Sequence, residues 1–178
     1  TGTEEIIINE NIDIVLVQGD TNSALAGAIA TRKLDAELGH IEAGLRSFDR
    51  DLPEEINRIL IDHAGDHLFA PTKESADLLR DEGIGKSRIH VTGNTIVDAV
   101  KANRSFASEK SIVLDEYDLT SGEFILMTAH RAENVDNQDR LVDIFTGIDR
   151  IASELDQPVI YPVHPRARER LTEYEVTV

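Results

Sequence analysis

Cysteine is absent from the 178-residue chain. Disulfides and thiolate metal sites are therefore excluded, which is compatible with a reducing compartment, and we expect a cytoplasmic protein. Apolar runs stay well short of the roughly 20 residues that cross a membrane, so no membrane association is expected. The N-terminus shows neither a secretory pattern nor an initiator methionine, and we expect an internal piece of a longer protein.

Basic residues are few, because 18 Lys and Arg stand against 34 Asp and Glu and give a net charge of -16 at pH 7. An acidic surface repels nucleic acid and anionic membranes, so neither is expected as a partner. The acidic residues are spread along the chain, and lysine is scarce beside arginine. This pattern predicts a halophilic protein, in which salt screens self-repulsion; the alternative is an ordinary acidic cytosolic protein.

The motifs of several enzyme classes are also missing. The chain has no Walker A loop, no G-x-G-x-x-G, no H-E-x-x-H and no G-x-S-x-G. Kinase, dehydrogenase, zinc-enzyme and esterase functions therefore receive no support from sequence motifs.

Short apolar stretches alternate with helical patterns along the chain. Strands are predicted at residues 12–17, 38–43, 67–70, 89–92, 124–128 and 159–163, with helices at 22–34, from 53, at 71–83, 96–103 and 139–155. The alternation predicts βαβ units and parallel sheets. In the helix that starts at Pro53, the apolar spacing predicts one buried face, with His63 as a core histidine: Ile56, Ile59, Leu60, His63 and Ala64.

The alternation breaks near residues 93–95, where we place a domain boundary. Residues 1–95 are expected to form the second half of one Rossmann-like domain, and residues 96–178 the first half of another. Each half has too few strands for a complete doubly wound sheet. The predicted fold class is therefore α/β, with two incomplete parallel-sheet domains and a ligand cleft between them, beyond the carboxyl ends of the strands.

Polar residues lie on or just past the carboxyl ends of the predicted strands. They are Asp20, His40, Glu42, His130, Arg131, Glu133, Asn134, His164 and Arg166. Carboxylates suit the removal and return of a proton, and a His-Arg pair before a helix suits a phosphate-bearing leaving group.

Several of these residues also have simpler structural explanations. Asp20 is placed to cap the helix that follows it. Glu54 and Glu55 lie in a first helical turn, where the helix dipole favours acids, and Glu54 is spaced for an ion pair with Arg58. His164 can bond to backbone at its strand end. Glu42 has no evident structural task.

Six motifs, taken in order, resemble one family. They are residues 18–21 (QGDT), 39–46 (GHIEAGLR), 53–58 (PEEINR), 91–95 (VTGNT), 128–134 (TAHRAEN) and 161–165 (YPVHP). The ordered set resembles the non-hydrolysing UDP-N-acetylglucosamine 2-epimerases, as a central fragment whose N- and C-terminal parts are missing. The resemblance implies a GT-B-like fold of two Rossmann-like domains. Because the outer parts of the family's sequence are missing, it also implies little or no turnover from the fragment alone.

The resemblance also implies a reaction. UDP-N-acetylglucosamine loses the C2 proton and UDP, and both return to give UDP-N-acetylmannosamine, without metal or cofactor. The matched positions imply acid/base roles for Asp20, Glu42 and Glu54, with His130 near the diphosphate. Substrate-binding roles are implied for Arg58, Arg131, Glu133, Asn134 and His164. A homodimer and a place in polysaccharide biosynthesis are further expectations.

Other functions remain open on the sequence. A hydrolysing 2-epimerase would release free N-acetylmannosamine and UDP with the same motifs. A GT-B glycosyltransferase would need an acceptor and has no reason to carry this carboxylate set. A non-catalytic sugar-nucleotide-binding domain is the alternative from another class.

Overall fold

The computed structural model describes residues 2–176 and divides the chain into two compact units, Thr1–Ser105 and Phe106–Val178. Helix α5 (Thr95–Lys110) spans the division. The sequence-based domain boundary after residue 95 stays a prediction. In the described part of the chain, no helix is both long and apolar enough to cross a membrane.

The first unit is built on a parallel sheet. Its strands are β1 (Ile14–Gln18), β2 (Glu37–Ile41), β3 (His67–Ala70) and β4 (Ile89–Val91), paired in that order. Its helices are α1 (Gly2–Asn9), α2 (Asn22–Thr31), α3 (Pro53–Ala64) and α4 (Lys73–Asp81). The predicted βαβ alternation is confirmed, while α1 was not predicted. Parallel pairing brings all four carboxyl ends to one edge of the sheet, which we call the carboxyl edge.

Two apolar clusters hold the helices against this sheet. One joins β1, α2, β2 and α3 through Val17, Ala24, Ala28, Leu38 and Ile61. The other packs α4 on β3 through Ala43, Leu68, Ala70, Ala76, Leu79 and Ile84. The helix starts are fixed by threonine caps, since the Thr21 and Thr72 hydroxyls accept from the amides of Ala24 and Ser75.

Helix α3 turns a different face inward from the one that its apolar spacing predicts. The buried residues are Glu55, Asn57, Ile61 and Asp62. Leu60 is half exposed, and His63 is exposed, with its ring Nδ1 bonded to the carbonyl of Ile59. The core role predicted for His63 is therefore wrong, and so is the burial of Leu60, while Ile56, Ile59 and Ala64 of the predicted face are partly buried. The buried acids have partners elsewhere in the unit, which offset the cost of burying charge.

The second unit contains a short parallel pair, β5 (Ile125–Leu126) and β6 (Val159–Ile160). Its helices are α6 (Val113–Glu116), α7 (Ala132–Val135), α8 (Gln138–Leu155) and α9 (Pro165–Glu173). Both strands are shorter than predicted, because the ladder spans two residues on each. The core consists of Met127, Val135, Leu141, Phe145, Ala167 and Leu171.

Asp136, directly after α7, ties α9 to this unit. Its carboxylate accepts from Arg166 and Arg170, and its carbonyl accepts from the Tyr174 hydroxyl at 2.9 Å. Hydrogen bonds from Arg166 and then Arg170 hold the pKa of the Asp136 carboxyl below its usual value. The turn between α7 and α8 is thereby fixed against α9.

Candidate functional site

Two of the predicted acids follow neighbouring strands at the carboxyl edge. Asp20 follows the turn after β1, and Glu42 follows β2 directly. The Gln18 side-chain amide donates to Glu42 Oε1 at 3.2 Å. A Cβ atom placed on Gly19, the residue before Asp20, would lie 4.0 Å from Glu42 Oε2. The carboxylate of Glu42 thus lies beside the turn that carries Asp20.

Glu42 has a left-handed backbone, with φ of 72°, which is uncommon for a residue other than glycine. The residues after it hold this conformation. The Ala43 amide donates to the Phe69 carbonyl at 3.2 Å, and the Gly44 amide donates to Asp62 Oδ2 at 3.1 Å. Backbone strain of this kind persists where the surrounding structure fixes it, as at functional sites.

Asp20 does not cap the helix that follows, because Thr21 fills that position. The capping explanation is therefore wrong. The Asp20 carboxylate pairs instead with Arg58 of α3, and the Asp20 carbonyl accepts from the Asn57 side chain at 2.8 Å. The Asp20 side chain keeps 34% of its surface exposed, so it can still reach a bound molecule.

The adjacent acids of α3 have opposite environments. Glu55 is only 2% exposed. Its carboxylate accepts from both the amide and the hydroxyl of Ser47, from the Phe48 amide and from Arg58, at 2.9–3.0 Å. Burial alone would raise the pKa of the Glu55 carboxyl, but these hydrogen bonds and the Arg58 charge bring it below its usual value.

Glu54 is exposed on the first turn of α3. Arg58 pairs with Glu55 and Asp20, so the predicted ion pair between Glu54 and Arg58 is wrong. Glu55 therefore takes the structural task that the sequence left to one of the two acids. Glu54 remains available for chemistry at the same edge.

A cluster of charged side chains, most of them buried, lies between β2, the loop that follows it, α3 and the end of α4. It consists of His40 on β2, Arg46 in the loop after β2, Asp62 on α3 and Glu82 after α4, and we call it the buried cluster. Asp62 Oδ1 lies 2.6 Å from His40 Nδ1, and Asp62 Oδ2 lies 2.7 Å from the Arg46 guanidinium. Arg46 also forms a two-bond pair with Glu82 at 2.6 and 2.7 Å.

The buried cluster holds its charges firmly. The side chains of His40, Arg46 and Asp62 are at most 1% exposed. Burial alone would lower the pKa of Arg46, but the hydrogen bonds and charges of Glu82 and Asp62 raise it above its ordinary value. Arg46 is therefore a permanent cation that fixes the loop between Glu42 and α3.

In the second unit, the structure brings His130 and His164 together. Their ring centroids are 5.6 Å apart at the carboxyl ends of β5 and β6. His130 Nδ1 lies 3.4 Å from the Thr128 hydroxyl, and His164 Nδ1 accepts from the Arg166 amide at 3.3 Å. His164 therefore caps α9, which agrees with the backbone bond considered for it, and both rings remain exposed.

The other predicted residues of this unit lie on or beside α7. Arg131 precedes the helix and is 70% exposed, with its guanidinium 3.6 Å from Glu133. Asn134 is partly buried. Helix α7 is a single turn of four residues, so the favourable charge expected at a helix N-terminus comes from that one turn. Together these groups offer cationic and hydrogen-bonding contacts suited to phosphate.

Sequence reasoning treats His40 only as a strand-end polar residue and Glu55 only as a first-turn acid, and it assigns no role to Arg46 or Asp62. Arg46 and Glu55 stand inside the quoted motifs, and Asp62 interrupts an apolar run, which is the available signal. Most of their partners lie 7 to 36 residues away in sequence, beyond any local pattern, although Arg58 is only three residues after Glu55. Within residues 2–176, no cluster of three or more His, Asp or Glu side chains is arranged to hold a metal ion.

Comparisons with known proteins give a consistent result. The family model for UDP-N-acetylglucosamine 2-epimerase matches residues 1–177. The UDP-N-acetylglucosamine 2-epimerase of Methanococcus maripaludis is 47% identical over 96% of this chain and 47% of its own length. A Pseudomonas aeruginosa relative, UDP-2,3-diacetamido-2,3-dideoxy-D-glucuronate 2-epimerase, is 42% identical over 93% of this chain and 46% of its own.

A solved structure extends the comparison to the fold. The Methanocaldococcus jannaschii UDP-GlcNAc 2-epimerase, in complex with UDP-GlcNAc and UDP, matches with a TM-score of 0.88 and 46% identity. The match covers 98% of this chain and 48% of that one. The predicted α/β fold of GT-B type is thereby confirmed. The chain spans about half the length of the relatives that it matches.

Proposed function

Because the chain belongs to the UDP-N-acetylglucosamine 2-epimerase family, we propose that the protein carrying it converts UDP-N-acetylglucosamine reversibly to UDP-N-acetylmannosamine. The observation that carries the proposal is the set of acids at the carboxyl edge. Asp20, Glu42 and Glu54 lie there with exposed or partly exposed carboxylates, while Glu55 and the buried cluster fix their surroundings.

The proposed reaction is an elimination followed by an addition. A carboxylate removes the C2 proton, the C1–O bond breaks with both electrons leaving on UDP, and a C1–C2 double bond forms. UDP then adds back to C1 while a proton reaches the opposite face of C2. Atoms balance without an outside reactant, and each proton step is within the reach of a positioned carboxylate or histidine.

We assign Asp20, Glu42 and Glu54 to the proton transfers at C2. Asp20 is ion-paired with Arg58, which places a cation near the proposed substrate position. Glu42 is held at a strained position with its carboxylate beside Gly19. Glu54 projects from the first turn of α3. We leave the face of C2 that each acid serves to be decided by experiment.

We assign the diphosphate to the second unit's cationic and polar residues. The rings of His130 and His164 lie close together at a tilt and are exposed, and Arg131 is exposed beside Glu133. Arg58, Glu133 and Asn134 complete the proposed substrate contacts. Charge neutralisation of the departing UDP by Arg58 and Arg131 would lower the barrier to C1–O cleavage.

The test uses a protein of the relatives' length that contains this chain. It is incubated with UDP-N-acetylglucosamine in deuterium oxide and followed by proton NMR. We expect deuterium at C2 in both sugar nucleotides. Free N-acetylmannosamine would indicate the hydrolysing reaction instead. Exchange only with a diacetamido-glucuronate nucleotide would indicate the substrate named for the Pseudomonas relative. Binding of the sugar nucleotide without deuterium exchange would favour the non-catalytic sugar-nucleotide-binding domain.

Variants of the three acids provide the first prediction. Asp20→Asn, Glu42→Gln and Glu54→Gln should each slow C2 deuterium exchange by roughly 100-fold or more, because each removes an acid/base group. Glu37→Gln is the matched control, since Glu37 is exposed at the opposite edge of the same sheet. If an acid variant exchanges deuterium as fast as the control, the role assigned to that acid is wrong.

Four broader features belong to the same proposal. We propose a homodimer, a cytoplasmic location, adaptation to high salt and a role in polysaccharide biosynthesis. The first and last rest on the family, the second on the sugar-nucleotide substrate, and the third on the net charge of -16. Sedimentation of the full-length protein tests the dimer.

A further inference from the structure

The buried histidine of β2 lies between two hydrogen-bond acceptors. His40 Nδ1 is 2.6 Å from the Asp62 carboxylate, and His40 Nε2 is 3.0 Å from the Gly19 carbonyl. A backbone carbonyl can only accept, so Nε2 carries a hydrogen. Asp62 Oδ2 already accepts from the Gly44 amide and lies 2.7 Å from the Arg46 guanidinium, so Oδ1 is left to accept from Nδ1. A ring that donates from both nitrogens fits both partners.

Charge balance within the buried cluster favours the same state. Arg46 faces Asp62 and Glu82, so two carboxylates stand against one permanent cation. A doubly protonated His40 makes these four residues neutral together. At the outer end of the cluster, Glu82 keeps 29% of its side chain exposed and lies 4.0 Å from the exposed His63 ring. The side chains of His40, Arg46 and Asp62 are closed off from water, where charges are favoured only when they are paired. The register partners of His40 on the flanking strands, Val17 and Leu68, are apolar and add no further charge.

The hydrogen bonds of this ring reach both turns that carry the proposed acids. Through Nε2, His40 holds the carbonyl of Gly19, directly before Asp20. Through Asp62, it is linked to the amide of Gly44, two residues after Glu42. Both turns contain left-handed residues, because φ is 70° at Gly19, 72° at Glu42 and 79° at Gly44. Of these three residues only Glu42 is strained, since glycine adopts this conformation freely. His40 is thus a common anchor for two turns.

We propose that His40 is a positioning residue which, protonated on both ring nitrogens, fixes Asp20 and Glu42 relative to each other. It does not touch the reacting atoms and acts through Gly19, Asp62 and Gly44. Its importance for turnover rests on the proposed function, while its protonation state does not. Loss of either ring bond releases one turn, and small displacements of a catalytic group are costly to turnover.

The first experiment measures the ring directly. Nitrogen-15 NMR of the histidine-labelled chain at roughly pH 7.5, above the usual titration of histidine near pH 6.5, should show hydrogens on both ring nitrogens of His40. His67 in the same chain is the internal reference for a histidine that is paired with a carboxylate but not buried. Its Nε2 lies 2.9 Å from Glu37, and its side chain is one-third exposed. A His40 ring with one bare nitrogen would overturn the inference, whether or not the protein is an epimerase.

The second experiment measures turnover in the full-length protein. His40→Asn keeps a donor toward Asp62, and His40→Gln keeps one toward Gly19. Each should lower kcat for C2 exchange by roughly tenfold or more, with KM changed by less than about threefold, in variants that remain folded by circular dichroism. His67→Asn, at the amino edge of the sheet, should change neither constant.

The outcomes separate the two ideas. Folded His40 variants with kcat equal to that of His67→Asn would overturn the positioning role. A parent protein without any exchange would overturn the proposed function, and the ring-nitrogen measurement would still decide the state of His40. If both variants unfold, the ring-nitrogen measurement still decides whether His40 carries both hydrogens, because it requires no substitution.

Discussion

At the scale of single residues, Glu54 and Glu55 show how position on a helix gives two identical side chains different surroundings. Glu55 points inward, where its carboxylate receives bonds from Ser47, Phe48 and Arg58. Those bonds hold the loop before α3, including Phe48, whose backbone is left-handed and whose ring is 75% exposed. Glu54 faces outward and makes no comparable contribution to the fold.

We predict that Glu55→Gln destabilises the folded chain by about 1–3 kcal/mol, because a buried charged acceptor is replaced by an amide whose NH₂ lacks a partner. Glu54→Gln, its neighbour, should change stability by less than about 0.5 kcal/mol. Urea unfolding followed by circular dichroism measures both. Equal effects of the two substitutions would contradict the structural role given to Glu55.

The same carboxyl predicts a pH dependence. Its pKa is lower in the folded chain than the ordinary value of 4.5, so the folded state binds its proton less readily than the unfolded state. The resulting stabilisation is fully present above about pH 4.5 and is lost as the pH falls through the lowered value. The stability difference between wild type and Glu55→Gln should therefore shrink in acid, as urea titrations at several pH values would show.

At the scale of elements, the turn from β2 into the following loop is packed tightly against α4. Gly44 has a φ of 79°, and a Cβ atom there would lie 2.3 Å from the Ser75 carbonyl oxygen and 2.9 Å from Leu79 Cγ. Only glycine fits both the backbone conformation and the space. This contact sets the position of Glu42, two residues earlier.

We predict that Gly44→Ala destabilises the chain by roughly 2–5 kcal/mol, since strain and overpacking add. Gly83→Ala is the matched control, because Gly83 also has a left-handed backbone, with φ of 87°, but has open space around it. The control should cost about 1–2 kcal/mol from backbone strain alone. Thermal and urea unfolding compare them, and equal losses would show that the α4 contact is unimportant.

At the scale of the whole molecule, the dominant feature is the excess of acidic residues. The net charge is -16, and the sequence isoelectric point is near pH 4.6. Many ion pairs lie at the surface, such as Arg32 with Asp66 and Arg150 with Glu154. Exposed pairs contribute little individually, so net repulsion among the remaining acids is expected to weaken the folded state at low salt.

We predict that stability at neutral pH rises steeply from low salt to molar KCl, because added ions screen this repulsion within a Debye length of about 3 Å at 1 M. The gain should shrink near pH 4.6, where the net charge approaches zero. Melting temperatures across a KCl series at both pH values test this. Indifference to KCl at neutral pH would contradict the proposed halophilic adaptation.

The sequence by itself determined the order of strands and helices, because the alternation of buried strands with amphipathic helices is a local pattern. Strand β3 has the predicted bounds, and α3 begins at Pro53 as predicted. The ordered motifs also sufficed to identify the family. Placement of Asp20 and Glu42 at one edge followed from parallel strands alone, since their carboxyl ends must meet.

The tertiary structure decided which face of α3 is buried. It also decided that Glu55 is buried with partners while its neighbour Glu54 is exposed. Asp62 and Glu55 are buried because His40, Arg46, Arg58 and the Ser47 amide reach them from other segments. A hydrophobicity pattern ranks side chains by their own polarity, so it assigned the inward face to Ile56, Leu60 and His63. Burial of a charge depends on partners that are distant in sequence, and only the folded chain brings them together.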